Sequence, residues 1–156
     1  MMEDRTKLPE ELSRVIAELR EHWRNGNAEE HTRFFAEETD WENAFAWRLT
    51  GRQRLKEFLR DYVFPAQAAR QYGEDFCRFQ LVSPEIALVE FTVETKLPPG
   101  SRIEKRLVHT LHLLRKSGSS WEVILTRIWD PRADASPPVQ QFPEFEAAPL
   151  SGMQPL

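Results

Sequence analysis

The spacing of apolar residues changes along the chain, and this change limits the folds that the chain can adopt. Leu12, Val15, Ile16 and Leu19 recur at helical spacing near the N-terminus, which places them on one stripe of a helix. In the second half, apolar and polar residues alternate instead, as they do over residues 86–96. Helical segments followed by alternating strands, without a repeating strand–helix–strand rhythm, predict an α+β fold.

Three helices are predicted in the first half of the chain. The first contains the stripe and ends near an Asn-Gly pair, and the second spans about 27–35 after a capping box. The third has an apolar stripe before Pro65, which should end or kink it, and an alanine-rich continuation could reach Tyr72.

The strands are predicted from alternation and turn composition. A first strand lies after the second helix, where Trp41, Asn43 and Phe45 alternate with acidic residues and an alanine. Four more strands follow, separated by short turns rich in Pro, Gly and Ser. Short turns favour antiparallel pairing. Their ranges are 76–82, 86–96, 103–114 and 121–129.

Composition excludes several classes of protein. The chain has 156 residues and a net charge of -4, which predicts one domain and no nucleic-acid partner. No apolar run is long enough for a membrane span, the N-terminus lacks a signal-peptide pattern, and Cys77 is the single cysteine. We therefore expect a cytoplasmic protein with a domain over 1–131 and a proline-rich, flexible tail over 132–156.

Several local sequences resemble a known family. "FFAEETDWENAF" followed by "LTGRQRLKEFL", and later "HTLHLLRKSGSSWEVILTRIWD", resemble SnoaL-like (SgcJ/EcaC-type) members of the nuclear transport factor 2-like superfamily. The resemblance implies a cone-shaped fold in which three helices pack on a curved antiparallel sheet. It also implies an apolar pocket inside the cone and a homodimer formed through the outer face of the sheet.

The resemblance also points to a catalytic position on the first strand. Relatives that isomerise ketosteroids have a pocket-facing acidic base there, and the matching residue in this chain is Asn43. An amide does not titrate, so Asn43 would orient a water or a carbonyl rather than remove a proton. The alternative is a buried amide that bonds the helix ends.

Arg127 lies among apolar residues of the last strand and needs a partner, because an unpaired buried charge is costly. It would either stabilise a carboxylate or an enolate in the pocket or pair with an acidic residue such as Asp40 or Asp130. Pairing is the modestly favoured alternative.

The histidines suggest acid–base chemistry rather than a metal site. His109 and His112 are three apart on a strand and therefore point to opposite faces, so they cannot jointly bind one metal. Either face could be the pocket side. We take His109 as the candidate acid–base group, because imidazole titrates near neutrality, although such a histidine is more often a core residue. His22 and His31 are expected to be structural or exposed.

Large aromatic residues are the predicted ligand-binding surface, and we predict no metal and no cofactor. Five tryptophans in one domain suggest flat surfaces for a small apolar or aromatic ligand, although each is more often simply core. The predicted ligand-binding residues are Trp23, Trp41, Trp47, Phe58, Tyr62, Phe91 and Trp129.

Three functions are compatible with these patterns. The first is a pocket protein that isomerises, cyclises or dehydrates an apolar carbonyl compound, using Asn43, His109 and Arg127. The second is a binding protein that holds a hydrophobic ligand without turnover. The third is a dimerisation module. Whether the chain is an enzyme is left open by the sequence.

Overall fold

The molecule is described here by a computed structural model covering residues 8–68, 71–96, 99–100 and 105–130. Helices come first and most of the sheet follows, so the predicted α+β class is confirmed. The predicted tail over 132–156 lies outside the described residues. The elements are α1 (Glu10–Arg24), α2 (Ala28–Thr32), β1 (Phe35–Glu42), β2 (Arg48–Thr50), α3 (Arg52–Phe58), a π-helical turn (Leu59–Val63), α4 (Phe64–Gln67), β3 (Gln71–Ser83), β4 (Ile86–Lys96), β5 (Lys105–Ser117) and β6 (Ser120–Trp129).

The predicted apolar stripe holds α1 against the sheet. Its four residues, Leu12, Val15, Ile16 and Leu19, are all buried. Burying each such side chain stabilises the fold by about 1.5–3 kcal/mol relative to leaving it exposed. The helix ends as expected at Asn25 and Gly26, where the glycine has a φ of 64° that most other residues avoid.

The third helix accommodates Pro65 by widening. A π-helical turn precedes α4, which holds Pro65 in its first turn. Proline has no N–H and its ring would clash with a carbonyl of a regular α-helix, so the wider turn replaces the predicted break. The predicted continuation to Tyr72 is wrong, because β3 already begins at Gln71.

Six strands form one sheet in the order β2-β1-β6-β5-β4-β3. Strands β3 to β6 pair antiparallel with their sequence neighbours, as predicted. The sheet is nevertheless mixed rather than wholly antiparallel, because β1 pairs with β6 in parallel. The helices cover one face, which we call the inner face, and the opposite face is called the outer face.

The first strand lies earlier than predicted. Helix α2 ends at Thr32, so Phe35 begins β1 rather than ending a helix. The strand ends at Glu42, and the predicted alternation through Asn43 does not hold because the chain turns there. The Asn43 Oδ1 atom accepts hydrogen bonds of 3.0 Å from the backbone N–H groups of Phe45 and Trp47.

A β-bulge divides β6 into two registers. Leu114 pairs with Val123, but Leu113 pairs with Leu125, so Ile124 is an extra residue. Val123 is therefore buried on the inner face, whereas Leu125 lies on the outer face. The predicted regular alternation from Val123 to Trp129 is wrong for this reason, and every side chain after the bulge changes face.

Candidate functional site

A cavity of about 50 Å³ lies between α1 and the inner face of the sheet. Most of its lining is apolar, and the polar groups come from a few separate elements. Helix α1 and β1 close one side, whereas β3 to β6 form the floor. Its lining residues are Leu19, Arg20, Trp23, Arg24, His31, Trp41, Tyr72, Asp75, Phe91, Val93, Thr110, His112, Thr126 and Ile128.

His31 reaches the cavity from α2. Its side chain is buried, and its Nδ1 atom lies 3.0 Å from the backbone oxygen of Leu19. The pKa of His31 is lowered to about 4, mainly because the ring is buried. The hydrogen bond to Leu19 raises this pKa in part, and the nearby His22 lowers it. A carbonyl can only accept, so Nδ1 carries the proton and Nε2 of the neutral ring is the acceptor.

His112 reaches the same cavity from β5. It is also buried, and its Nδ1 atom lies 2.8 Å from the hydroxyl oxygen of Thr126 on β6. Burial lowers the pKa of His112 to about 3, and the nearby His31 contributes to this shift. Unlike a carbonyl, the Thr126 hydroxyl can donate, and in that arrangement Nε2 of His112 carries the proton.

The two histidines form one polar element in an apolar surrounding. Both pack against Phe35, with ring centroids 5.2 Å from His31 and 5.9 Å from His112. At neutral pH both rings are uncharged, so each offers one hydrogen-bond donor and one acceptor. The Leu19 and Thr126 contacts fix the orientation of the two rings, and both histidines line the same cavity.

Charged residues lie at the edge of the cavity. Asp75 of β3 forms ion pairs with Arg20 and Arg24, which are one turn apart on α1. The Nε atom of Arg20 lies 3.0 Å from the Asp75 Oδ2 atom, and Nη2 of Arg24 lies 3.1 Å from the same oxygen. The arginine side chains are partly exposed, whereas Asp75 is mostly buried. This group ties α1 to β3.

A second, wider cleft of about 480 Å³ adjoins this edge. It shares Trp23, Arg24 and Tyr72 with the inner cavity, and its other side is formed by the turn after α1 and by the helix around Pro65. The inner cavity holds only a few non-hydrogen atoms, so most of a larger ligand would occupy the cleft.

Six of the seven predicted ligand-binding aromatics divide into two groups. Trp23, Trp41 and Phe91 line the cavity. Phe58 lies outside the lining set, and its ring packs against Trp41 at 5.8 Å, Trp47 at 5.4 Å and Tyr62 at 5.7 Å. Trp47 is 45% exposed and Tyr62 67% exposed. This group covers the hairpin and the third helix rather than the cavity.

The structure places His109 and Trp129 on the outer face. His109 shares its face with Leu107 and Leu111 and pairs across the strands with Trp129. The two rings stack at 5.3 Å, and the His109 Nδ1 atom lies 2.9 Å from the hydroxyl of Thr92. The sequence left open which histidine faces the pocket, and it is His112.

Arg127 also lies on the outer face, where it pairs with Asp40. Its Nη2 and Nη1 atoms lie 3.2 and 3.3 Å from the two carboxylate oxygens. Hydrogen bonds from Arg48 and then Arg127 hold the pKa of Asp40 below its usual value, although burial opposes the shift. This is the pairing alternative considered from the sequence. Asn43 is in the hairpin turn, outside the cavity lining.

The site residues that sequence reasoning missed are His31, His112 and the Arg20–Asp75–Arg24 group. His31 was expected to be structural or exposed, and nothing in its helix distinguishes it. For His112 there is a signal in the strand pairing. It lies opposite Val89, which belongs to the uncharged side of β4, whereas His109 lies opposite Thr92, which shares its side with Glu90.

The described residues contain no group of three or more His, Cys, Asp or Glu that could hold a metal ion. Among the helices described, none is both long and apolar enough to cross a membrane.

Comparison with known proteins supports the fold but no family. No protein-family model matches the chain, and no curated protein matches it. Solved structures do match, and some of them are named as proteins with a cystatin-like or nuclear transport factor 2-like fold. A domain of unknown function from Nostoc punctiforme has 16% identity and a TM-score of 0.67, over 93% of this chain and 91% of that one.

Two other matches have names that mention an activity. A candidate scytalone dehydratase from Novosphingobium aromaticivorans has 16% identity and a TM-score of 0.61, over 78% of this chain and 83% of that one. A ketosteroid isomerase-like protein from Erwinia carotovora has 15% identity and a TM-score of 0.58, over 80% of this chain and 99% of that one. At such identities the likeness establishes the fold alone, and this fold supports many functions.

Proposed function

We propose that the protein binds a small apolar molecule with a polar oxygen, held between the inner cavity and the adjoining cleft. The observation that carries the proposal is a pair of buried, uncharged imidazoles, His31 and His112, lining one apolar cavity. Burying polar groups costs free energy, and each ring offers an Nε2 atom in addition to its Nδ1 contact. A ligand hydroxyl or carbonyl would accept from one ring and, if it is a hydroxyl, donate to the other.

The lowered pKa values favour binding over proton abstraction. General bases work best when their pKa lies near the working pH. With pKa values of about 4 and about 3, His31 and His112 are weak bases at neutral pH. They are better suited to orient and polarise an oxygen atom than to remove a proton from carbon.

Catalysis is the second candidate, and the tautomers of the two rings favour it. His31 presents an acceptor at Nε2, and His112 presents a donor when Thr126 donates to it. A donor beside an acceptor is suited to dehydration or isomerisation of a carbonyl compound. The neighbours named for a dehydratase and an isomerase agree with this candidate function. We also propose, from the sequence resemblance, that the chain belongs to the SnoaL-like subgroup of this fold. The roles predicted for Asn43, His109 and Arg127 stay predictions.

The binding proposal is tested in two steps. Native mass spectrometry of freshly purified protein should reveal a co-purified small molecule. Calorimetric titration with cinnamyl alcohol, which is apolar and carries one hydroxyl, should then show saturable binding. Val93→Phe fills the cavity and should abolish this binding, whereas Val82→Phe, on an exposed part of β3, should leave it intact. Equal binding by both variants would contradict the proposal.

We also propose that the outer face of the sheet forms a homodimer. Leu107 and Trp129 are each 39% exposed there, and Phe76 is 63% exposed. Exposed apolar side chains on one face of a sheet favour association with a second copy. Light scattering over a concentration series tests this proposal. Leu111→Glu should give monomers, and a wild-type chain that stays monomeric at all concentrations would refute it.

A further inference from the structure

We propose that the ligand carries a carboxylate, which Arg24 and Arg20 bind at the mouth of the cavity. This inference rests on the proposed binding function and names the class of ligand: a small apolar acid. Arg20, Arg24 and Asp75 all line the cavity, and Arg24 also lines the cleft. A molecule that enters from the cleft therefore passes both guanidinium groups.

The charges at this mouth are unequal. Both arginines contact the same oxygen of Asp75, Oδ2, so among the described residues that line the cavity two positive charges face one negative charge. The chain as a whole has a net charge of -4, so the positive excess is local. A guanidinium has five N–H donors, and in the described contacts Arg24 commits one of them to Asp75. Carboxylates match the remaining planar donors well.

The surroundings fit an amphiphilic anion rather than a small inorganic one. Trp23 lies between the two arginines in sequence and lines both the cavity and the cleft. Its indole offers apolar surface in the same cavity and cleft that Arg24 lines. The carboxylate would bind at the partly exposed arginines. Most of the apolar body would lie in the cleft against Trp23, and its end would reach Phe91 in the inner cavity.

A purely structural role accounts for only one of the arginines. Arg20 contacts Asp75 through both Nε and Nη2, which is sufficient to tie α1 to β3. Arg24 adds a second cation to an oxygen that is already bonded. Because its side chain is 41% exposed, removing its charge should leave the fold intact. Arg24→Gln is therefore a suitable test variant.

The first test compares two isosteric ligands by calorimetry at low salt. The wild-type protein should bind cinnamate about tenfold more tightly than cinnamamide, and added salt should reduce the difference. Arg24→Gln should bring the preference below about threefold, chiefly by weakening cinnamate binding. Arg14→Gln makes the same charge change on an exposed part of α1 and should keep the full preference.

The outcomes separate this inference from the function on which it rests. If cinnamamide binds as tightly as cinnamate, or if Arg24→Gln keeps the preference, the carboxylate site is wrong while the binding pocket stands. If Val93→Phe leaves the binding of both ligands unchanged, or neither ligand binds the wild-type protein, the pocket proposal fails and this inference with it.

A second measurement probes the charge without any ligand. Cys77 is exposed and shares a strand face with Asp75. Partial burial of its thiol raises the pKa of Cys77, Arg20 lowers this pKa and Asp75 raises it. We expect the ratio of its alkylation rates with iodoacetate and iodoacetamide to fall about twofold in Arg20→Gln and to stay unchanged in Arg14→Gln. An unchanged ratio in Arg20→Gln would contradict the local positive excess.

Discussion

Each face of the sheet carries a histidine of β5 that is bonded to a threonine of a neighbouring strand, but the surroundings of the two pairs differ. On the inner face, His112 bonds to Thr126 across the strands and packs against Phe35 and Phe91. On the outer face, His109 bonds to Thr92 and stacks on one side with Trp129. His112 is 4% exposed, whereas Trp129 remains 39% exposed beside His109.

This comparison indicates that burial, rather than the hydrogen-bond partner, makes the inner histidine distinctive. Both imidazoles have a threonine hydroxyl within 3 Å of Nδ1. Of the two, the inner one lines a mainly apolar cavity together with a second buried histidine, His31. Residue type and spacing thus provide the groups, and the face of the sheet determines what they can do.

The largest expected effect is on the pH dependence of stability. His31 and His112 have pKa values of about 4 and about 3 in the fold but about 6.5 when unfolded. The unfolded chain therefore binds more protons below pH 6.5, so stability is complete above that pH and is lost as pH falls toward the folded values. Between pH 6.5 and 5 we expect a loss of about 2 kcal/mol for each histidine.

Urea unfolding at several pH values measures this slope, above the range in which most carboxylates titrate. His112→Gln should remove about half of the pH dependence, because the amide does not titrate. If its slope equals that of the wild-type protein, His112 is not the buried neutral group that the structure shows. His31→Gln should remove the other half of the pH dependence of stability.

A smaller effect on the free energy of unfolding, which compares the two faces directly, is expected from truncating each histidine of β5. His112→Ala leaves a cavity and removes the partner of the buried Thr126 hydroxyl, so it should lower the free energy of unfolding by about 3 kcal/mol. His109→Ala removes one partly exposed ring and should cost under about 1 kcal/mol. Comparable losses at the same protein concentration would mean that the outer face is covered as completely as the inner one.

The sequence predicted the fold because its signals are local. The α1 stripe and the alternation of β4 each fix which side of an element is apolar, and short turns fix antiparallel pairing. Pro65 was correctly identified as an interruption, but the choice between ending the helix and widening it depends on packing. The parallel pairing of β1 with β6 depends on residues about 90 positions apart, and no local pattern reports it.

The site was harder to predict because it depends on register. The single extra residue Ile124 moves Arg127 and Trp129 to the outer face, away from the cavity. The turn at Asn43 ends a strand whose alternation appeared in the sequence to continue. His31 lies on a short helix whose position relative to β5 follows from the packing of the whole domain. The cavity therefore combines residues that no sequence spacing connects.

The smallest expected effect concerns Arg127 on the outer face. It is one of two arginines on Asp40, and the hydrogen bond from Arg48, at 2.8 Å, lowers the pKa of Asp40 most. Because Arg48 remains and the pair is partly exposed, Arg127→Gln should lower the free energy of unfolding by only about 0.5 kcal/mol. Arg48→Gln is the matched control and should cost a similar amount, whereas replacing both should cost more than the sum, since Asp40 then loses both partners.

Calorimetric titration with cinnamyl alcohol should be the same for Arg127→Gln and wild type, because the guanidinium lies on the face opposite the cavity. A clear loss of binding with unchanged stability would instead connect Arg127 to the ligand, as the sequence-based catalytic role requires.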